Sequence, residues 1–336
     1  MTTPLILNRA RQLVEPELRR AVDTLCAELL LPSRYHFGWV ETDGSPSSAG
    51  SGKGLRPALA VLSAEAVGAP TVVGLPGAVA VELIHNYSLI HDDIIDGDTE
   101  RRHRTTVWAA FGVDDAVISG DALHTLAFQV LLADPTPERV AATVRLAEAT
   151  AAMLAGQAAD MAFDDQPVVT LQDCLEMEAG KTGALLGYSA SVGAVLAGAP
   201  DQQVAALDAY GRSLGLAFQA VDDVLGIWGD PVVTGKAAGN DLRERKKSMP
   251  VAFVISAGDG AAQELRALYD QPGHLSDVDI ERATQIIETA GGRQRTEQEA
   301  QTHLTAALAA LEGAGLVDES VEELHGLANF VATRNH

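Results

Sequence analysis

The chain has 336 residues, 47% of them hydrophobic and only 4% aromatic, a balance that suits close-packed helices better than a β-sandwich, which needs β-branched and aromatic side chains. A net charge of −22 speaks against nucleic acid as a partner, because phosphate backbones are bound by positive surfaces, and it discourages docking on anionic membranes. The two cysteines, Cys26 and Cys174, offer neither a disulfide framework nor metal-ligand spacing, and a reducing cytoplasm fits that usage.

Taken in chain order, Met1–Arg20 alternates apolar residues with Arg and Glu and lacks an uninterrupted apolar stretch, so no secretion signal is expected. Glu41–Gly52 (ETDGSPSSAGSG) reads as a loop by composition. Apolar residues at helical spacing then predict long helices over Leu75–Asp96, Ala116–Leu132 and Val204–Trp228. Turn-forming clusters separate the elements at Asp134–Pro137, Asp164–Thr170, Gly198–Asp201, Gly229–Asn240, Gly258–Gly260, Asp270–Asp277 and Gly291–Gly292. Gly183–Pro200 is uncharged for 18 residues, at the lower edge of a spanning length, but its Gly, Ser and Ala content points to a buried core helix, and no transmembrane segment is expected. Convincing alternating strands are absent. The chain is therefore expected to be all-α, a single domain over residues 1–336 with roughly ten or more helices and no repeat of solenoid period.

An Asp pair at Asp92 and Asp93 recurs at Asp222 and Asp223, each late in a long apolar helix. In LIHDDIIDGD, Asp92 and Asp96 are offset by about 40° and one turn, so their carboxylates share a helix face. Clustered carboxylates with few compensating charges suit hard cations, and incomplete protein coordination favours Mg²⁺ shared with substrate phosphates. A Ca²⁺ loop fails, because Ile94 or Ile95 falls on its third ligand position and no Glu closes it. A solvated acidic helix end is the competing reading, and it accounts poorly for Asp residues embedded in apolar sequence. His85, about 10 Å up the axis on nearly the same face, either lines the same cavity or is an ordinary helical histidine.

The lysines number five among 24 basic residues: Lys53, Lys181, Lys236, Lys246 and Lys247. All stand beside Gly or in short basic clusters, where compact ammonium groups can grip phosphate oxygens. AGKTG at 179–183 is not a P-loop, since Glu176 stands where that pattern requires Gly and no strand precedes it. Gly-rich dinucleotide fingerprints are likewise absent.

Together these motifs resemble those of the trans-polyprenyl diphosphate synthases, the short-chain isoprenyl synthase family. They come in the family's order over a core of residues 52–250: GKGLRP at Gly52–Pro57, DDIID at Asp92–Asp96, the Arg101–Arg102 pair, GQAAD at Gly156–Asp160, KTG at Lys181–Gly183, FQAVDD at Phe218–Asp223, then TGK and a Lys pair. The resemblance implies a helical bundle of the isoprenoid synthase type around a central substrate cavity, acting as a homodimer. It implies that Asp92, Asp96 and Asp222 hold three Mg²⁺ ions on an allylic diphosphate clamped by Arg101, Lys181 and Lys236. Lys53, Arg56, His85 and Arg102 would bind isopentenyl diphosphate, while Thr182 and Gln219 would stabilise the developing cation. Asp93, Gln157, Asp160, Asp223, Asp241 and Lys246 also fall on site positions.

The implied reaction is head-to-tail prenyl transfer. An allylic C–O bond breaks under electrostatic stabilisation of the diphosphate, isopentenyl diphosphate attacks the cation, and a proton is lost to the departed diphosphate. Tyr87, five residues before Asp92 and about 7.5 Å along the axis, with Ser88 after it, resembles the floor that stops growth near twenty carbons, so geranylgeranyl diphosphate is the expected product. A farnesyl or longer-chain synthase is the alternative within the family. Four positions depart from the family pattern: Gly226 where many relatives carry Asp, Gly54 for a common Arg, and His103 and Thr105 for Gly and Pro. A class I terpene cyclase shares the fold and first acidic motif, but Glu244 and Ser248 do not complete its second metal motif, and Lys53, Arg56 and Arg102 suit a second diphosphate. A non-catalytic subunit would not need both Asp pairs.

Overall fold

The computed structural model describes residues 4–47, 52, 54–230, 238–273 and 275–333. In chain order the elements are α1 (Leu5–Val22), α2 (Ala27–His36), α3 (Leu55–Ala66), a 3₁₀ turn (Thr71–Gly74), α4 (Leu75–Ile95), a hairpin of β1 (Glu100–Arg101) and β2 (Arg104–Thr105), α5 (Val107–Phe111), α6 (Val113–Leu132), α7 (Pro137–Phe163) and α8 (Leu171–Glu178). A π-helical turn (Ala179–Gly183) leads into α9 (Ala184–Leu196) and α10 (Asp201–Trp228), followed by α11 (Asn240–Arg243), α12 (Met249–Ala257), α13 (Gly260–Tyr269), α14 (Asp277–Thr289), α15 (Gly292–Leu311) and α16 (Asp318–Ala332). The fold is all-α, as the apolar periodicity predicts. The strands that the sequence does not announce are two residues each and belong to one hairpin.

The three long helices fall where expected, with ends set by local chemistry. α4 stops at Ile95 because Asp96 serves as its C-cap and Gly97 turns left-handed at φ 70°, the conformation that glycine adopts without a Cβ penalty. α6 begins at Val113, where Gly112 at φ 104° breaks it from α5. Buried Ala184, Leu185, Leu186, Tyr188, Ala190, Val192, Ala194 and Val195 make α9 a core helix, as its small-residue composition implies. The stretch Thr71–Ile95 is long and apolar enough to cross a membrane by length and composition, but 61% of its apolar window is buried inside protein.

The chain's contacts gather into two compact units, one drawn from Met1–Glu148, Tyr188–Asp208 and Gly313–Leu324, the other from Ala149–Gly187, Ala209–Glu312 and His325–His336. In the first, α4 packs on α6, α3 and α1. Small residues allow the closest approaches. A Cβ on Gly193 of α9 would stand 2.3 Å from the Ala60 carbonyl oxygen of α3, and the Gly193 N–H donates to Ser63 Oγ at 2.9 Å. In the second unit, Leu242, Val251, Ile255, Leu265, Ile280 and Ile287 form an aliphatic core. Capping boxes at Thr170/Asp173 and Ser276/Asp279 start α8 and α14.

Gly193→Ala tests the close approach, because two effects of opposite sign compete there. Helix propensity alone favours Ala by about 0.5–1 kcal/mol, whereas forcing a methyl into backbone contact costs about 1–3 kcal/mol. Urea unfolding should show a net loss of stability, and a gain would mean that α3 and α9 separate at no cost.

Candidate active site

The last turn of α4 carries Asp92, Asp93 and Asp96 with no basic residue in it, at the end of the helix where the backbone dipole is negative. A cation is favoured at that end of the helix. Asp93 turns inward and is buried, and Arg101 Nε on the hairpin donates to its Oδ1 at 2.7 Å. Burial pushes the Asp93 carboxyl up, and the Arg101 charge and hydrogen bond oppose that shift. The expected diphosphate clamp Arg101 therefore also anchors the hairpin to α4.

The polar residues of α4 fall into two stripes. His85, Ser88, Asp92 and Asp96 lie within about 80° of one another, while Glu82, Asn86, Leu89 and Asp93 form a neighbouring stripe. Arg56 Nη1 stands 3.3 Å from His85 Nε2. Burial first, then the charges of Arg56 and Arg102, hold the His85 imidazole well below its ordinary pKa, so His85 is neutral and accepts from Arg56. The second stripe lines a cavity of about 290 Å³ with His36, Arg101, Arg102 and His103. Asn86 donates its amide nitrogen to Glu82 O and Oε1, which leaves its oxygen to accept from His36 Nε2 at 3.0 Å.

The hairpin pairs Arg101 with Arg104, so Arg102 and His103 occupy its two-residue turn at φ 54° and 62°. Both central residues of such a turn need positive φ. The sequence supplies no glycine, at about 1 kcal/mol or more per residue, although histidine is among the residues that tolerate this region best. Thr105 pairs with Glu100 and accepts from the Tyr35 hydroxyl at 2.8 Å. Gly52 leaves room for Arg102, since a Cβ there would stand 2.6 Å from its Nη2. Gly54, for its part, sits at φ 66° ahead of α3, a conformation that glycine adopts without a Cβ penalty. Tyr87 lies about 140° around α4 from Asp92 and Ser88 about 40°. Tyr87 is packed edge-on against His91 and His124 at 4.8 and 5.0 Å.

In the second unit the AGKTG segment forms a π turn, a local insertion that re-aims side chains and often marks functional positions. Glycines on both flanks allow it. A Cβ on Gly156 of α7 would meet Lys181 N at 2.2 Å, and one on Gly215 of α10 would meet Gly183 Cα at 2.8 Å. Lys181 Nζ pairs with Asp160 Oδ2 at 2.5 Å. Thr182 Oγ1 donates to Gln219 Oε1 at 3.2 Å, and Gln219 Nε2 donates to Asp223 Oδ1 at 3.1 Å. Burial, then the nearby Asp241 charge, pushes Asp223 up to about 7, against hydrogen bonds from Met249 N and Gln219. Gln157 Oε1 is buried without a hydrogen-bond partner.

Gly226 has a structural explanation. A Cβ there would stand 2.1 Å from Asp241 Oδ2 and 2.7 Å from Oδ1, so the Asp241 carboxylate fills the space a side chain at 226 would take. Gly226 lies one turn from Asp222 on the same helix face, and the acidic character of that face is kept. The lysine reading needs one correction. Lys247 Nζ donates to the carbonyls of Phe163, Asp164 and Gln166, closing the C-terminal end of α7 instead of facing a phosphate. Lys246 pairs with Glu244 at 3.0 Å. Lys53 and Lys236 lie outside the described residues. Sequence reading passed over Arg11, which holds the Gly52 carbonyl at 2.8 Å, and over His36, Glu82, Asn86, Arg104 and Glu178. The Glu82/Asn86/Asp93 spacing on one face of an otherwise apolar helix was the available signal.

The polyprenyl synthetase family profile matches residues 44–287. The chain is 45% identical over 332 residues to the (2E,6E)-farnesyl diphosphate synthase of Mycobacterium tuberculosis, covering 98% of this chain and 92% of the relative. It is 44% identical over 308 residues to the geranylgeranyl diphosphate synthase of the same species, covering 91% and 88%. The crystal structure of a polyprenyl synthetase from Streptomyces coelicolor superposes with a TM-score of 0.93 at 46% identity, covering 98% of this chain and 99% of that one. The chain belongs to the polyprenyl synthetase family. It is a prenyltransferase, built on the all-α isoprenoid synthase fold.

That family is generally Mg²⁺-dependent. Among the described residues, no group of three or more His, Cys, Asp or Glu stands close enough to hold a metal by itself. The donors nevertheless fit Mg²⁺, which binds through one or two carboxylates plus substrate phosphates and keeps several waters. The hard carboxylate oxygens at the C-terminal end of α4 are of that kind.

His36 makes stability pH-dependent. Burial, then the charges of Arg101 and Arg102, pushes its pKa down to about 3, against about 6.5 in an unfolded chain. Between those values the unfolded chain takes up a proton that the folded one refuses, so this contribution is complete above about pH 6.5 and falls away as pH drops toward 3. His36→Gln keeps a donor for Asn86 and should lose about 1–2 kcal/mol less than the parent between pH 7 and 5. Chemical unfolding at both pH values checks this, and parallel losses in the two proteins would contradict it.

Proposed function

We propose that this prenyltransferase condenses an allylic diphosphate with isopentenyl diphosphate, head to tail, and that its main product is geranylgeranyl diphosphate. One observation carries the reading: α4 bears two anion-handling stations on one stripe. The acidic last turn with Asp92 and Asp96 is suited to a metal-bound diphosphate. Two turns earlier, neutral His85 lies against Arg56 and feels the charge of Arg102, a cationic setting for a second diphosphate. A terpene cyclase has no use for the second station.

In this reading Asp92, Asp96 and Asp222 are the metal ligands, with Asp241 filling the place left by Gly226, and three Mg²⁺ ions are expected with bound diphosphate. Bound Mg²⁺ would supply positive charge to the departing diphosphate. Arg101, Lys181 and Lys236 grip that diphosphate, and Lys53, Arg56, His85 and Arg102 orient isopentenyl diphosphate, with Lys246 nearby in function. The oxygens of Thr182 and Gln219 present fixed dipoles to the allylic cation, and a preorganised dipole costs no reorganisation as charge develops. Apolar helix faces keep water from the cation. We infer that residues 1–336 act as one cytoplasmic catalytic domain, paired as a homodimer whose contact would cover exposed Val117 and Ile118 on α6.

Product length rests on Tyr87 and Ser88. Tyr87 is nearly buried and wedged between two imidazoles, which makes it a stiff wall near the depth an anchored chain must pass. Farnesyl diphosphate is the second reading, favoured by the name of the 45% identical relative.

Incubation with isopentenyl diphosphate, each allylic primer and Mg²⁺, read by mass spectrometry, should yield a twenty-carbon diphosphate. Asp92→Ala and Asp222→Ala should each lower turnover by orders of magnitude with helical content unchanged, because they remove charge that serves ionisation and not packing. Wild-type rates in either variant would refute the roles given to these carboxylates.

Tyr87→Ala should cost about 3–5 kcal/mol of stability for the lost aromatic and shift the products to longer chains. An active, folded variant with an unchanged product distribution would mean that Tyr87 is not the floor.

A further inference from the structure

The hairpin that carries Arg101 and Arg102 is fastened at its two ends by different groups. At its base the Asp98 N–H donates to Asp93 O at 3.0 Å, and the Asp98 carbonyl accepts from Thr106 Oγ1 and from Trp108 Nε1, each at 2.8 Å. The Thr106 N–H donates to Thr99 O at 3.0 Å, and Arg101 Nε donates to Asp93 Oδ1 at 2.7 Å. The base and the first strand are therefore tied to α4 and α5 independently of the turn.

The second strand is tied elsewhere, to the C-terminal end of α2. Arg104 Nη1 donates to Tyr35 O and Nη2 to Val40 O, both at 2.9 Å, so one guanidinium spans the last turn of the helix and the segment after it, and Glu41 Oε2 adds a longer contact at 3.4 Å. The same guanidinium lies 4.3 Å over the Tyr35 ring, and the Tyr35 hydroxyl donates back to Thr105 O at 2.8 Å. Tyr35 is buried and packed edge-on against Phe111 at 5.2 Å, which makes it a firm anchor. Between the two fastenings lie Arg102 and His103, at φ 54° and 62°. Residues with a Cβ enter that region against a steric penalty, so the turn must be held from its downstream side, and Arg104 is the next residue. The Arg102 guanidinium that the turn presents is fitted closely against Gly52, where a Cβ would stand 2.6 Å from its Nη2.

We propose that Arg104 is a positioning residue for isopentenyl diphosphate: its grip on Tyr35 and Val40 holds the strained turn and thereby aims Arg102. The proposal rests on the prenyl-transfer reading, in which Arg102 orients that substrate and Arg101 grips the allylic one. Arg101 has its own anchor in Asp93, so releasing Arg104 should disturb the first substrate and spare the second. A weakened contact to a diphosphate remote from the reacting carbons affects ground state and transition state alike, so KM rises with kcat nearly unchanged.

The test measures kcat and KM with isopentenyl and farnesyl diphosphates, using Arg104→Met, which keeps an apolar stem without donors, and Arg104→Lys, which keeps the charge without the planar fork. In the Met variant KM for isopentenyl diphosphate should rise about tenfold or more, while kcat and KM for farnesyl diphosphate stay within about twofold. The Lys variant should fall between Met and the parent. Adding His103→Gly to Arg104→Met should lower the raised KM several-fold, because glycine adopts the turn without strain. A merely structural role would raise both KM values or lower kcat in step with lost stability, and glycine at an exposed turn would not repair it. That pattern overturns the proposal, as does an unchanged KM for isopentenyl diphosphate. If Arg104→Met does not fold, Arg104→Lys carries the same test, and parental KM values in it refute the grip. Hydrogen exchange separates the grip from the reaction: amides of residues 99–106 should exchange faster in the variant while those of α4 keep their protection, and equal exchange overturns the proposal whatever the kinetics. If the wild type makes no product from any primer, the prenyl-transfer reading fails by itself, and exchange alone then judges the grip.

Discussion

A carboxylate inside a packed helical interior must be answered by a cation, by donors or by a proton, because an unanswered buried charge costs several kcal/mol. This chain buries Asp93, Asp223 and Glu178 and answers each differently. Asp93 takes the guanidinium of Arg101. Asp223 collects hydrogen bonds from Gln219 and Met249, and burial drives the Glu178 carboxyl well above the ordinary carboxylate range. Two of these answers fix a second element, so the hairpin is held to α4 and the start of α12 to α10. Both pairs of consecutive aspartates share one pattern: the second member is buried, and the first stays partly exposed on the face proposed for chemistry.

The same economy governs the backbone. Gly156, Gly183 and Gly215 let α7 and α10 close on the π turn, which holds Lys181 and Thr182 by main-chain contact and not by long side chains. A site held in this way is preorganised, and preorganisation is what makes dipoles effective against a developing cation. Arg102 and His103 in a left-handed turn show the corresponding expense, a strained backbone retained beside the residues proposed to bind substrate.

Much of this was legible in the sequence because it depends on spacing along one helix. The all-α class, the limits of α4, the core character of α9 and the shared face of Asp92 and Asp96 follow from a period of 3.6 residues and from composition. The motif order also carried the family, which the 45% identical relative bears out. Contacts between distant segments were not legible. Asp241 fills the space over Gly226 from 15 residues downstream, so the sequence shows only a missing carboxylate. Lys247 looked like a phosphate grip because its target, three backbone carbonyls, has no side-chain signature.

What the sequence determined by itself is therefore local and periodic: which segments are helices, which acids share a face, and which family pattern they compose. Tertiary structure alone decided which acid of each pair is buried, which atom of the Gln219 amide faces Thr182, and where Asp241, His36 and Glu178 come to rest. The physical reason is that burial and hydrogen-bond direction are set by partners far away in the chain, while helical phase is set by the nearest few residues.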